Sequence, residues 1–294
     1  MLERLSGLAD EAGRNLTQQI DAHQQLNWQF MELRNIDGMP VDELSGVLAK
    51  SVAKQLADAG LQVNCLASRI GNWQRSIDTD LEQEEDELAR LIDLSHFVGS
   101  RHIRVMSYLQ GYLEINEWRD RVLERLTRLT ARAAQGGLVL LHENCTGWAG
   151  IDAQNTQIML KEITSPSLQL LLDLGNGPAY QNAPEDFITS CFDSIAHVHI
   201  KDAVRTANGK IDYCFPGKGA VHLLENIKQL LKLGYNGLFS IEPHIDMIAH
   251  EGGRQLDVDG INEHYIAYGQ AALELLQQAK NDLSRAKTFA EVAI

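Results

Sequence analysis

The 294-residue sequence predicts an α/β fold, a single (β/α)8 TIM barrel with eight parallel strands that takes up residues 1–294 as one domain. Three observations lead there. Eight short apolar or alternating runs recur along the chain, helical patterns with apolar residues three and four apart lie between them, and eight such units match the chain length. A doubly wound open sheet is the structural alternative. No GxGxxG follows a strand to mark a dinucleotide site, however, and no Pro- or Ser-rich linker divides the chain.

Taken in order, the expected strands are RLSGLA near the start, FMELRNI at 30–36, QVNCLASRI at 62–70 and HIRVMSYL at 102–109. LVLLHENC at 138–145, LQLLLDLGN at 168–176, HVHIKDA at 197–203 and GLFSIEPH at 237–244 complete the set. Between them, DELSGVLAKSVAKQLADAG, EWRDRVLERLTRLTARAAQGG and LLENIKQLLKLGYNG read as helices, each finishing near a glycine suited to a C-cap. The longest irregular or strongly polar stretches are 76–90, 204–220 and 245–260, and long loops in compact domains often carry function.

Composition narrows the function classes. A net charge of −14 repels phosphate backbones, and no basic stripe with interleaved aromatics offsets it, so nucleic acid is not an expected partner. Solvated helix faces such as DLEQEEDELAR account for much of the acidity. No apolar run approaches the roughly 18 residues a membrane span needs, and the start MLERLSGLADEAG has none of the marks of a secretory signal. The cytoplasm is the expected location. Cys65, Cys145, Cys191 and Cys214 are scattered with no CxxC pair, which argues against a disulfide framework and a structural zinc knuckle.

Barrels gather reactive groups where strands end, on inward-pointing positions two residues apart. Glu143 ends LVLLHE, Asp173 ends LQLLLD, His199 ends HVH and Glu242 ends LFSIE. Three carboxylates converging on one mouth resist ionisation unless a cation sits among them. Three oxygen ligands with one imidazole suit Mn²⁺, Mg²⁺ or Co²⁺ better than a structural zinc.

The ordered set HENCTGW, LLLDLGN, HVHIKD and IEPH, together with the N-terminal LADEAG and FMELRNIDG, resembles the xylose isomerase-like TIM barrel superfamily over nearly the whole chain. Within it, the sequence is most similar to the sugar phosphate isomerase/epimerase group, including the tagatose/psicose 3-epimerases and ribulose-phosphate 3-epimerases. The resemblance implies one divalent ion on Glu143, Asp173, His199 and Glu242, Mn²⁺ foremost with Mg²⁺, Co²⁺ or Zn²⁺ as alternatives. It also implies that Glu143 and Glu242 form the acid/base pair of an isomerase or epimerase. Proton abstraction next to a carbonyl and a metal-stabilised enediolate agree with that chemistry. A small-molecule carbohydrate is the expected partner, and homo-oligomers are frequent among similar proteins.

Period two adds Lys201 on the face of His199 and His244 on the face of Glu242 as candidate substrate contacts. The resemblance adds Glu32 and Arg34, which share a face of the second strand where similar proteins contact sugar hydroxyls and which could equally form a buried salt bridge. Asn176 stands where the sugar epimerases often carry a substrate-binding histidine, which puts their sugar preference in doubt for this chain. His197 is expected to be a core histidine, His142 to point away from the mouth and orient a neighbouring segment, and Asp202 to orient a loop. Trp148 either covers the pocket or packs under a loop, and Gly217, Lys218 and Gly219 form a weak phosphate-loop candidate. Rival functions are an inosose dehydratase-like lyase, a metal-dependent phosphodiesterase and a non-catalytic sugar-binding barrel.

Overall fold

The computed structural model describes residues 4–44, 46–245 and 258–292. Eight strands run parallel: β1 (Leu5–Gly7), β2 (Phe30–Leu33), β3 (Gln62–Ala67), β4 (His102–Ser107), β5 (Val139–Gly147), β6 (Leu168–Asp173), β7 (Ile195–Ile200) and β8 (Leu238–Ile241). Their order in the sheet is β1-β8-β7-β6-β5-β4-β3-β2, and a parallel bridge from Leu8 to Glu32 draws the two edges together into a nearly closed TIM barrel.

Helices α1 (Leu16–Gln25), α2 (Gly46–Asp58), α3 (Leu81–Val98), α4 (Ile115–Gln135) and α5 (Ala153–Glu162) alternate with the first strands. The short α6 (Gly177–Tyr180), then α7 (Pro184–Cys191), α8 (Leu223–Leu233) and α9 (Val258–Val292) follow. Local chemistry sets their ends. Asn15 and Gln18 form a reciprocal capping box at the start of α1, and Gly234 closes α8 at φ 99°, a left-handed conformation that glycine adopts at no steric cost. Along α4 the buried residues Trp118, Val122, Leu126, Leu129 and Ala133 recur three and four apart, so one face packs inward.

The strand residues Leu140, Leu170, Leu172, Val198, Ile200, Phe239 and Ile241 join those helix faces in one apolar layer. The alternate strand residues point into the lumen, where, among the described residues, Cys65, Leu141 and Leu171 make a small apolar cluster. The lumen also holds polar contacts: Ser6 donates to Asn64, whose side-chain amide lies 3.4 Å from His197 Nε2.

Three expected segments turn out differently. Within 76–90 the helix expected in DLEQEEDELAR is present as α3, which begins at Leu81, but its acidic face is not wholly solvated. Its buried stripe contains Glu84 and Glu87, which hides the apolar period in the sequence. Both are buried rather than solvated: Glu84 accepts from Tyr108 Oη at 2.5 Å and Gly71 N at 3.2 Å, and Glu87 from Arg75 Nη2 at 2.8 Å. The run FMELRNI ends as a barrel strand at Leu33, and Asn35–Ile36 turns back on Met39–Pro40. HVHIKDA likewise divides after Ile200, and Asp202–Arg205 pairs antiparallel with Ile211–Cys214 inside the stretch expected to be irregular. Of the third polar stretch, residues 246–257 lie outside the described residues. Among the described residues no helix is long and apolar enough to cross a membrane.

Candidate active site

Register brings the four strand-end residues together. Glu143 is paired with Leu171 where β5 stops pairing with β6, although β5 itself continues to Gly147. Asp173 is paired with His199, His199 with Ser240, and Glu242 follows the last residue of β8. One ligand atom from each of Glu143, Asp173, His199 and Glu242 lies within 4.8 Å of the other three. All four residues are buried, at no more than 3% exposure, so their charges act in a weakly screened environment.

Lys201 sits among them. Its Nζ is 2.5 Å from Asp173 Oδ2 and 2.6 Å from Glu242 Oε2, and the side chain is 1% exposed. Gly175 makes room for this: a Cβ there would come within 2.4 Å of both the Cβ and the carbonyl oxygen of Lys201. Burial alone would lower the Lys201 pKa, but Asp173 and Glu242 hold it well above its ordinary value. Glu242 is held well below the usual carboxylate range, because Lys201, His244 and His199 outweigh its burial. Asp173 behaves oppositely. Burial, helped by the Glu242 and Glu143 charges and opposed by Lys201, raises its pKa to about 7.

His199 is oriented from below. Its Nε2 lies 2.9 Å from Glu32 Oε2, and its Nδ1 faces Glu242 Oε2 at 3.4 Å without hydrogen-bond geometry. Burial would lower its pKa, yet Glu32 and Glu242 carry it well above the ordinary histidine value. Glu32 is fully buried and also meets His197 Nε2 at 3.1 Å. It therefore lies beneath the two histidines and positions them. His197, which burial holds below the ordinary histidine pKa, is the deeper member of the pair.

Arg34 bridges the first and last strands: it donates to Asp10 Oδ2 at 2.9 Å and Glu11 Oε1 at 3.1 Å, and its Nη1 lies 3.4 Å from Glu242 Oε1. Thus Glu32 and Arg34 do not form a salt bridge with each other; each serves a different partner set. His244, at φ 52°, places its Nδ1 2.8 Å from Glu11 Oε1, and its ring stands edge-on to Tyr213. Asn176 donates from Nδ2 to Glu143 Oε1 at 3.1 Å and to Asn144 O at 3.0 Å, which fixes one glutamate oxygen.

The more peripheral expectations separate. Asp202 accepts from the backbone N–H groups of Gly217 at 2.8 Å and Gly219 at 3.0 Å, so it does orient a loop. The same bonds occupy the amides that a phosphate loop would use, which counts against that candidate. Trp148 is buried in the apolar layer rather than covering the pocket. His142 points away from the lumen into a small space beside Thr156, Leu170 and Phe187, but its ring nitrogens have no hydrogen-bond partner among the described residues. It orients no segment. Without a partner, burial depresses its pKa to about 3.

Arg104, Asp10 and Glu11 escaped the sequence reading. Arg104 Nη1 lies 3.3 Å from Glu143 Oε2, and the residue is 1% exposed. The signal was available: Arg104 follows His102 by two in HIRVMS, the same inward parity that picks out Glu143 and His199 on later strands.

The donor set fits a divalent cation. Glu143 Oε2, Asp173 Oδ2 and His199 Nδ1 are all buried without a hydrogen-bond partner, although cationic or carboxylate groups stand nearby. Two hard carboxylate oxygens and an imidazole nitrogen so exposed to one another are the donors such an ion takes, and Glu32 would orient the imidazole from behind.

A family model described as xylose isomerase-like TIM barrel matches residues 20–263. The chain is 26% identical over 180 residues to a Haemophilus influenzae protein named as an L-ribulose-5-phosphate 3-epimerase, a match covering 57% of this chain and 60% of that one. It is 28% identical over 150 residues to inosose dehydratase from Bacillus licheniformis, covering 46% of this chain and 49% of that protein. The chain thus matches 60% and 49% of the length of these two curated relatives. Among solved structures, D-allulose 3-epimerase from Methylomonas sp., in complex with D-allulose, has the same fold at a TM-score of 0.72 and 17% identity, with 94% of this chain and 97% of that one covered. With the family model spanning most of its length, the chain belongs to the xylose isomerase-like TIM barrel family.

Proposed function

We propose that the protein is a divalent-metal-dependent isomerase or epimerase of a sugar or related hydroxyketone. The observation that carries this reading is the convergence of Glu143, Asp173, His199 and Glu242 at one end of the barrel, with donor atoms within 4.8 Å of one another. Those four residues would hold the ion. Bound there, it would polarise the substrate carbonyl and offset the negative charge that develops on its oxygen.

The chain's own groups supply the proton transfers. Glu242, kept ionised by Lys201, His244 and His199, is suited to take a proton from the carbon next to the carbonyl. Glu143 has Oε1 tied to Asn176 and Oε2 without a hydrogen bond, so Oε2 is the oxygen left to exchange a proton on the opposite side. Return of a proton to the same carbon gives an epimer; return to the neighbouring carbon gives an isomer. Burial of both carboxylates keeps bulk water from intercepting the proton.

The test is a panel of ketoses and their phosphates with Mn²⁺, Mg²⁺ or Co²⁺ in deuterium oxide, read by mass spectrometry and NMR. Deuterium at the carbon beside the carbonyl, lost in Glu143→Gln, is the expected result. A panel with no exchange would remove this reading. The similarity to an inosose dehydratase favours a second one, in which the same proton abstraction is followed by loss of a β-hydroxyl. The product mass separates them, because a dehydratase releases one water.

A further inference from the structure

Glu143 and Asp173 sit on neighbouring strands, yet the ladder between those strands stops before it reaches the site. The last pair of β5 with β6 is Glu143 with Leu171, although β5 runs on to Gly147 and β6 to Asp173. Leu140 N donates to Ser167 O, so the odd-numbered residues of β6 turn their backbone groups toward β5, and Asp173 is the last of them. In a regular parallel ladder its N–H would go to the Asn144 carbonyl, and its own carbonyl would accept from an amide further along β5.

Side chains take over both bonds. Asp173 N donates to Asn144 Oδ1 at 2.6 Å, and Asn144 Nδ2 donates to Asp173 O at 2.9 Å. One carboxamide, which carries both a donor and an acceptor, thus closes the two backbone groups of Asp173 as a peptide unit would. The Asn144 carbonyl accepts instead from Asn176 Nδ2 at 3.0 Å, and the same Nδ2 donates to Glu143 Oε1 at 3.1 Å. The ties are reciprocal: the residue after Glu143 holds Asp173, and the residue three after Asp173 holds Glu143.

The carboxylates are left in matching states. Glu143 Oε1 is tied by Asn176 and Asp173 Oδ1 by Gly175 N at 2.7 Å, while Glu143 Oε2 and Asp173 Oδ2 make no hydrogen bond. Arg104 and Lys201 also stand beside those two oxygens, but their charges compete with a divalent ion for them. Asn144 and Asn176, 3% and 1% exposed, carry no charge, so they fix position without opposing the ion.

Resting on the metal site proposed above, we infer that Asn144 and Asn176 form a reciprocal brace that sets the spacing of Glu143 and Asp173 and, through it, the affinity for the divalent ion. Both are positioning residues, and neither is a ligand. The test follows Mn²⁺ binding to the full chain by the EPR signal of free Mn²⁺, with circular dichroism on the same samples, and needs no substrate. Kd is expected to rise at least about tenfold in Asn144→Ala and in Asn176→Ala, the usual effect of removing a group that orients a metal ligand. Asn226→Ala is the control, because Asn226 is equally buried and its Nδ2 donates to Val221 O at 2.9 Å, on α8 rather than on a strand of the site. It should lower the melting temperature as the other two do and leave Kd unchanged. Should Asn144→Ala not fold, Asn176→Ala, which leaves the Asp173 backbone bonds in place, carries the test. An unchanged Kd in the folded brace variants, or an equal rise in Asn226→Ala, would overturn the brace while leaving the metal site intact. Wild-type protein that binds no Mn²⁺ would overturn both.

Discussion

The lumen of the barrel and the layer between its strands and helices are built on opposite principles. The outer layer is continuous apolar packing, in which Leu126, Leu129, Leu140, Leu172, Val198 and Ile227 are at most 1% exposed. The lumen holds Glu32, Arg34, Arg104, Glu143, Asp173, His199, Lys201 and Glu242 at comparable burial, with Cys65, Leu141 and Leu171 as its small apolar cluster. Barrel interiors are more often filled by branched apolar side chains. Burying ions is costly unless each is paired, and replacing such pairs by apolar residues is often neutral or stabilising. The lumen is thus poorly explained by stability, whereas the outer layer is well explained by it, and period two lets each strand serve both without conflict.

This contrast can be broken at defined points. The largest expected effect belongs to the lumen: Glu143→Gln or Glu242→Gln should lower kcat on a verified substrate by about 10²–10⁴-fold, the usual contribution of a general acid or base. Each substitution also takes one partner from a buried ion pair, so some loss of melting temperature accompanies it, but turnover per folded molecule should fall far more. A variant that melts much earlier but turns over normally would reverse the division of labour.

Lys201→Met comes next. It leaves Asp173 and Glu242 without their nearest cation, and breaking a buried pair in this way costs about 3–5 kcal/mol. Denaturant titration without added metal should show that loss, and Mn²⁺ should stabilise the variant more than it stabilises the wild type. Equal Mn²⁺ shifts in the two proteins would mean that Lys201 and the ion do not share the same carboxylates.

In the outer layer, Leu126→Ala should destabilise by about 2–5 kcal/mol through lost packing and a residual cavity. Turnover per folded molecule should stay the same. The smallest effect is a pH slope. His23, buried against Tyr265 and the α1 backbone, has its pKa lowered by burial to about 4. Unfolding therefore takes up a proton between the unfolded value near 6.5 and the folded value, so stability contributed by neutral His23 is complete above that window and falls as pH drops through it. His23→Gln should reduce the stability lost between pH 7 and pH 5 by about 2 kcal/mol in paired denaturant titrations.

Much of the candidate site was legible because it obeys local rules. Glu143, Asp173, His199 and Glu242 each end a short apolar run, and parallel register then brings neighbours together. Where pairing spans long separations the sequence was silent. Arg34 and Glu242 are 208 residues apart, and His244 and Glu11 are 233 apart, so nothing in either segment names its partner. Asp10 and Glu11 were hidden for that reason. Arg104 has the inward parity of the strand-end residues, but nothing in the fourth strand names its partner Glu143 on the fifth. The stripe of α3 misled because buried glutamates replace apolar residues where Tyr108 and arginines can pair with them.

The sequence by itself determined the eight alternating units, the inward parity of each strand and the residue types at the strand ends, because backbone geometry imposes periods of 2 and 3.6 on any chain. Only the tertiary structure decided that Lys201 lies between Asp173 and Glu242, that Glu32 meets both His197 and His199, and that Asp202 occupies the Gly217 and Gly219 amides. Those outcomes depend on which ion finds which counter-ion in a buried space. Such pairing is set by distance and desolvation in three dimensions, and the linear order of residues does not contain it.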